Sequence, residues 1–169
     1  TVEKVAVCSS ASELKEFAAD NFISGIPITE LIKSLSPQPP AEILEALKYL
    51  RFRNIVVVNL ILKEPLNLSD NWLYIHDPRL KVGRIQIPRN FSKEMVPADK
   101  DFSLGLEYFV FDDDPLWRAN DQSLVEYAAH ELVQAGLIKP DNVLDGFAVR
   151  VPKAYPVYQI GYQEPLNKI

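Results

Sequence analysis

The amino-acid sequence predicts an α+β fold, and three stretches carry that prediction. Residues 54–63 (NIVVVNLILK) are β-branched and almost continuously apolar, as expected for a strand covered on both faces at the centre of a sheet. Residues 102–111 (FSLGLEYFVF) alternate between two faces that both carry aromatic rings, which indicates a second strand. Residues 122–135 form an amphipathic helix, with Leu124, Ala128, Leu132 and Ala135 on one stripe.

The other predicted elements fill the chain in order. Residues 2–7 (VEKVAV) and 22–27 (FISGIP) are predicted strands, and the segment between them is a loop or one helical turn. Short amphipathic helices are predicted at 28–35 and 41–50, the second opened by Pro40. Residues 71–77 (NWLYIHD) and 82–88 (VGRIQIP) read as a hairpin, and Asp121 is the predicted cap of the long helix. A last strand, 146–152, runs into the aromatic segment AYPVYQIGY.

Composition narrows the class of protein. The 169 residues, 47% of them hydrophobic, predict one domain over 1–169 with a real core. A net charge of -5 argues against a nucleic-acid partner that binds by counterion release. The single cysteine, Cys8, excludes an internal disulfide and fits a reducing, cytoplasmic compartment. The longest apolar run, 55–62, is far short of the ~20 residues that span a bilayer, so no integral membrane segment is predicted.

Several kinds of catalytic site are excluded by spacing. The six glycines, at 25, 83, 105, 136, 146 and 161, form neither a dinucleotide-binding fingerprint nor a P-loop. His76 and His130 have no neighbouring carboxylate or cysteine at metal-ligand spacing, so no metal site is predicted. No serine lies in a nucleophile-elbow context. The chain also begins at Thr1 without an initiator methionine, from which we expect a fragment of something longer.

Arginines and aromatic rings remain as candidate ligand contacts. They fall at or near predicted strands: Arg51, Arg53, Arg84, Arg89 and Arg150, with Trp72, Tyr74, Tyr108, Tyr155 and Tyr158. On a sheet face turned toward a cleft, these groups would offer stacking surfaces and bidentate donors for carboxylates or phosphates. Arg84 has two interpretations, because it could instead form an ion pair with Glu107, an in-strand carboxylate that needs a partner.

The order of these segments resembles a known superfamily. FISGIPITELI, PPAEILEALKYLRFRNIVVV, NWLYIHDP, VGRIQ, LGLEYF and RVPKAYPVYQIGY are similar to the middle part of the flavin-containing amine oxidases, in the branch labelled protoporphyrinogen-oxidase-like or UDP-galactopyranose-mutase-like. The most specific pieces are ISGIP with its following helix and AYPVYQIGY. The residue after the glycine of the second piece is usually His in protoporphyrinogen oxidases, whereas here it is Tyr162.

The resemblance implies a substrate-binding domain cut from a longer flavoprotein. It implies a mixed, largely antiparallel sheet of about six or seven strands, with helices packed mainly on one face, roofing the substrate cavity beside the flavin. FAD would then be held by a separate FAD-binding domain of the same parent chain, with none bound to this fragment and no catalytic side chain in it. We expect a small-molecule substrate to contact Tyr74, Arg84, Tyr108, Tyr155 and Tyr158. A flavin-dependent sugar-nucleotide mutase domain and a stand-alone binding module are the alternatives.

Overall fold

The computed structural model describes residues 2–8, 13–96 and 102–169. Its strands are β1 (Lys4–Cys8), β2 (Leu14–Ala18), β3 (Arg51–Leu62), β4 (Trp72–Tyr74), β5 (Arg84–Gln86), β6 (Phe102–Val110) and β7 (Val143–Val157). Its α-helices are α1 (Ile28–Lys33), α2 (Ala41–Leu47), α3 (Pro88–Phe91), α4 (Pro115–Arg118), α5 (Asp121–Gln134) and α6 (Gln163–Lys168). The chain divides into two compact units, residues 1–49 with 164–169, and residues 50–163.

The first unit contains a hairpin and short helices. β1 and β2 pair antiparallel, and Val5 lies opposite Phe17 as an apolar cross-strand pair. The predicted strand at 22–27 is wrong, because β2 takes 14–18 instead and Ile23 is fully exposed without a partner strand. Pro40 precedes α2, as the sequence predicts, and Pro27 precedes α1. A single domain over 1–169, taken from a longer flavoprotein, stays a prediction.

The second unit is built on a five-stranded antiparallel sheet in the order β4-β5-β6-β3-β7. β3 lies between β6 and β7, so the apolar run predicted as a central strand is confirmed in that place. The predicted hairpin is also confirmed, as β4 paired with β5. The α+β class is therefore confirmed, with seven strands divided into a sheet of five and a hairpin of two.

One face of this sheet carries the core. Val56, Val58 and Leu60 of β3 and Leu104 and Leu106 of β6 are buried in one apolar cluster, together with Leu124, Ala128 and Leu132 of α5. The helix begins at Asp121, one residue earlier than predicted, and its cap is Asn120, whose side chain accepts a hydrogen bond from the amide of Ser123. Asp121 instead accepts a hydrogen bond from Arg150 of β7 at 2.8 Å. Helix and sheet are thereby joined by apolar packing and by a charged contact at the helix start.

A buried carboxylate fixes the loop that leads into β5. Glu131 of α5 is 3% exposed and accepts the backbone amides of Lys81 at 2.5 Å and Val82 at 3.2 Å, together with the Tyr127 hydroxyl at 3.3 Å. A buried carboxylate needs such donors, and here they come from the loop just before β5. The helix under the sheet therefore sets where β5 begins.

Candidate functional site

The other face of the five-stranded sheet, here named the open face, carries polar and aromatic side chains. Because side chains alternate along a strand, residues paired across the sheet share a face. One such row runs across all five strands through Tyr74, Arg84, Glu107, Val57 and Val149. Along β7 the same face presents Phe147, Val149 and Val151, each more than 40% exposed. The open face therefore combines a polar centre with an exposed apolar flank.

An ion pair forms the polar centre. Nε of Arg84 donates to Oε2 of Glu107 at 2.9 Å, and Nη2 of Arg84 donates to Oε1 at 2.9 Å. The Gln86 amide also donates to Oε1 of Glu107. The Glu107 side chain is 5% exposed and that of Arg84 is 21% exposed. The ion-pair interpretation of Arg84 is thus confirmed, and its guanidinium still reaches the surface.

Two tyrosines flank the Arg84 guanidinium. Nη1 of Arg84 donates to the Tyr74 hydroxyl at 3.4 Å, and Cζ lies 5.7 Å from the centre of the Tyr74 ring. Burial lowers the pKa of Arg84, but hydrogen bonds to Glu107, Tyr74 and Tyr155 and the charge of Glu107 outweigh it, so the pKa stays above its ordinary value. The guanidinium is therefore a fixed cation beside the exposed Tyr74 ring, with the Tyr155 hydroxyl within reach.

A third aromatic ring packs beside Tyr155. The Phe109 and Tyr155 rings lie 5.9 Å apart between centres, tilted by 60°. The Phe109 ring also covers Gly83, where an added Cβ would come within 2.8 Å of two ring carbons. Gly83 thus leaves room for the ring directly before Arg84, a role that the sequence spacing gave no sign of.

The five predicted substrate contacts are distributed over three places. Tyr74, Arg84 and Tyr155 meet on the open face. Tyr108 lies on the core face at 1% exposure, because it alternates with Glu107 along β6, and its ring lies 6.0 Å from that of Tyr127 on α5. Burial, and then the charge of Glu131, raise the pKa of the Tyr108 hydroxyl. Tyr158 follows the end of β7 and is exposed, with its ring 5.0 Å from Tyr162. Contact of any of the five with a substrate stays a prediction.

The turn between β4 and β5 contains an ion pair between Arg79 and Asp77. Arg79 donates from its backbone amide and its side chain to Asp77, with Nη2 to Oδ2 at 2.6 Å. The side-chain hydrogen bond from Arg79 is the main cause that lowers the pKa of Asp77 to about 2. Arg79 therefore closes an exposed turn, and Arg84 is the arginine of this hairpin that reaches the open face.

The described residues, 2–8, 13–96 and 102–169, contain neither a candidate metal site nor a candidate membrane span. Within those ranges no group of three or more His, Cys, Asp or Glu side chains could hold a metal ion. No helix in the same ranges is long and apolar enough to cross a membrane.

Comparison with solved structures identifies the fold. Reduced UDP-galactopyranose mutase superposes on 96% of this chain with a TM-score of 0.76 at 21% sequence identity. The chain shares the fold of part of that mutase. A protein assigned as a protoporphyrinogen oxidase from Exiguobacterium sp. 255-15 matches 98% of the chain, with a TM-score of 0.64 at 15% identity. A protein of Pyrococcus furiosus matches 90% of it, with a TM-score of 0.60 at 14% identity.

The comparisons also define how far the likeness extends. The chain spans 35% of the length of each of these three proteins. No family model and no curated protein matches the sequence. The resemblance predicted from the sequence is therefore confirmed at the level of the fold shared with the mutase and the oxidase-like protein.

Proposed function

We propose that this chain is the substrate-binding part of an FAD-dependent oxidoreductase, with its open face forming one wall of the cavity beside the flavin. The observation that carries the proposal is the Arg84 guanidinium, fixed by Glu107 and lying beside the exposed Tyr74 ring on the open face. A fixed cation flanked by aromatic rings binds an anionic or aromatic ligand and orients it. The exposed apolar flank of β7 supports an assignment to a surface that contacts a ligand or another domain.

We infer that this chain does not bind FAD by itself. A dinucleotide pyrophosphate is bound by a glycine-rich turn at the start of a helix. The one helix of more than eight residues in the described part of the chain, α5, begins at Asn120 and Asp121, with no glycine in its first turn. When present, a flavin supplies the redox chemistry, and the part of this chain is to bind and orient the substrate.

A second function, a domain of a sugar-nucleotide mutase, has its own support. The superposition on UDP-galactopyranose mutase has the higher TM-score, 0.76 against 0.64 for the oxidase-like protein. Under either function a reducing, cytoplasmic compartment fits the single Cys8 and the absence of any second cysteine to pair with it.

Titration with FAD tests whether the chain is a partner of a flavin-binding domain or a self-sufficient flavoprotein. Because the chain offers no pyrophosphate cradle, the purified protein should be colourless and should leave FAD fluorescence unchanged. Riboflavin, which lacks the pyrophosphate, is the matched control for stacking of the ring alone. Stoichiometric quenching of FAD with micromolar affinity would overturn the proposal and favour a binding module that works by itself.

A further inference from the structure

A cleft opens at the end of the second unit where β7 bulges away from β3. The pairing shifts between Arg53 and Ile55, which lie opposite Tyr155 and Val151, so β7 carries extra residues at this point. The cleft has a volume of about 450 Å³, within the range of small-molecule sites. Its walls include Arg51, Asn54, Phe111, Asp113 and Lys153.

The bulge is held in a strained conformation. Lys153 has a φ of 52°, in the left-handed region that residues other than glycine rarely adopt. Asn54 is buried and fixes it, since Oδ1 of Asn54 accepts the Lys153 amide at 2.9 Å while Nδ2 donates to Asp112 at 2.7 Å. Backbone strain that a buried side chain maintains is concentrated at functional sites in proteins. The cleft is therefore a built feature of the fold.

Charges of both signs line this cleft without neutralising one another. The Arg51 guanidinium lies with Cζ 4.8 Å from the centre of the Phe111 ring, which fixes it as a cation over an apolar wall. Asp113 lines the same cleft. Over the part of the chain that the structure describes, neither Arg51 nor Asp113 forms a salt bridge. Asp112, by contrast, accepts a hydrogen bond from the Asn54 side chain.

We propose that this cleft binds a small zwitterion with an apolar side group. The anionic group would pair with the Arg51 guanidinium, the cationic group with the Asp113 carboxylate, and the apolar group with the Phe111 ring. Charges of opposite sign in one cleft select a ligand with both charges, because a ligand with one charge leaves the other residue unpaired. The proposal uses none of Tyr74, Arg84 and Tyr155 and is independent of the proposed function.

The test uses three probes that share the phenylalanine side chain and differ in which of the two charged groups they carry. Phenylalanine carries both charges, N-acetylphenylalanine lacks the cation, and phenylalaninamide lacks the anion. In ¹H–¹⁵N spectra of the labelled chain, phenylalanine should shift signals around Asn54, Phe111 and Lys153, and bind about tenfold more tightly than either analogue. Equal affinity for the three probes, or no shift with phenylalanine in the millimolar range, would overturn the proposal.

Two single-residue variants test which residue binds each charged group of the ligand. Comparing the probes within one variant keeps the result independent of any change in folding. Arg51→Gln should abolish the preference for phenylalanine over phenylalaninamide, and Asp113→Asn the preference over N-acetylphenylalanine. Arg53→Gln is the matched control, because Arg53 also lies against the Phe111 ring, at 5.6 Å, but is not among the residues that line the cleft. A loss of binding in Arg53→Gln equal to that in Arg51→Gln would contradict the assignment.

Discussion

Replacing Arg84 with methionine is expected to lower the free energy of unfolding of the second unit by about 3 kcal/mol, at the low end for breaking a buried ion pair. Stability is lost because the Glu107 carboxylate stays buried, at 5% exposure, without its cation. It would lose two hydrogen bonds from the guanidinium and keep only the one from the Gln86 amide. Urea denaturation followed at equilibrium measures the change, which should move the midpoint and leave the slope unchanged.

The double variant Arg84→Met with Glu107→Leu provides the control. Removing both charges leaves no buried ion without a partner, so most of the lost stability should return, to within about 1 kcal/mol of the unsubstituted chain. Glu107→Gln alone should cost less than Arg84→Met, because the Arg84 side chain, 21% exposed, still reaches water. A cost below about 1 kcal/mol for Arg84→Met would show that the pair behaves as an exposed one.

Gly146→Ala is expected to destabilise the second unit by about 2–3 kcal/mol through overpacking. A Cβ at this position would lie 2.8 Å from the backbone oxygen of Asn59 and 3.0 Å from both γ-carbons of Val125. Since one of these contacts is with the backbone of β3, relief requires movement of β7 away from β3 and α5 rather than a change of rotamer. Thermal unfolding should show a fall in Tm of several degrees.

Gly105→Ala is the matched control for that substitution. Its added Cβ would meet Asn59, Gln86 and Val57 at 3.6–3.8 Å, ordinary contact distances on the open face. We expect a change within about 0.5 kcal/mol of zero, as for a substitution away from the core. Equal losses for the two glycine variants would contradict the close packing of β7 against β3 and α5.

Much of the fold could be predicted because its central elements are strongly patterned. The apolar run of β3 lies at the centre of the sheet, although its open-face residues Val57, Asn59 and Ile61 are only half-buried, and the period of α5 reflects burial on one side. The strand predicted at 22–27 failed because β2 is defined by its pairing with β1, a contact between residues that are apart in the chain. The helix cap is Asn120 and not the predicted Asp121, because Arg150, on a strand distant in sequence, binds the aspartate.

The candidate site could be predicted in part for the same reason. The Arg84–Glu107 pair is one of the two interpretations that the sequence gives for Arg84. Tyr108 is predicted with Arg84 as a substrate contact, but it alternates with Glu107 along β6 and lies on the core face. The approach of Tyr155 to Arg84 could not be predicted from sequence. It depends on the bulge of β7 and on the Asn54 side chain that holds this bulge. Spacing in a sequence gives no measure of how far a bulge displaces the next residues.

The central claim is that the open face around Arg84 binds the substrate. The most direct test is a titration of the labelled chain that follows the Arg84 Nε–H signal and the ring signals of Tyr74 and Tyr155, with UDP-galactose and separately with a water-soluble porphyrin as probes. We expect saturable shifts of all three residues with one of the probes, while the ring signals of Tyr108, on the core face, do not shift. Shifts confined to α5 and the core face, or no saturable shift of Arg84 with either probe, would contradict it.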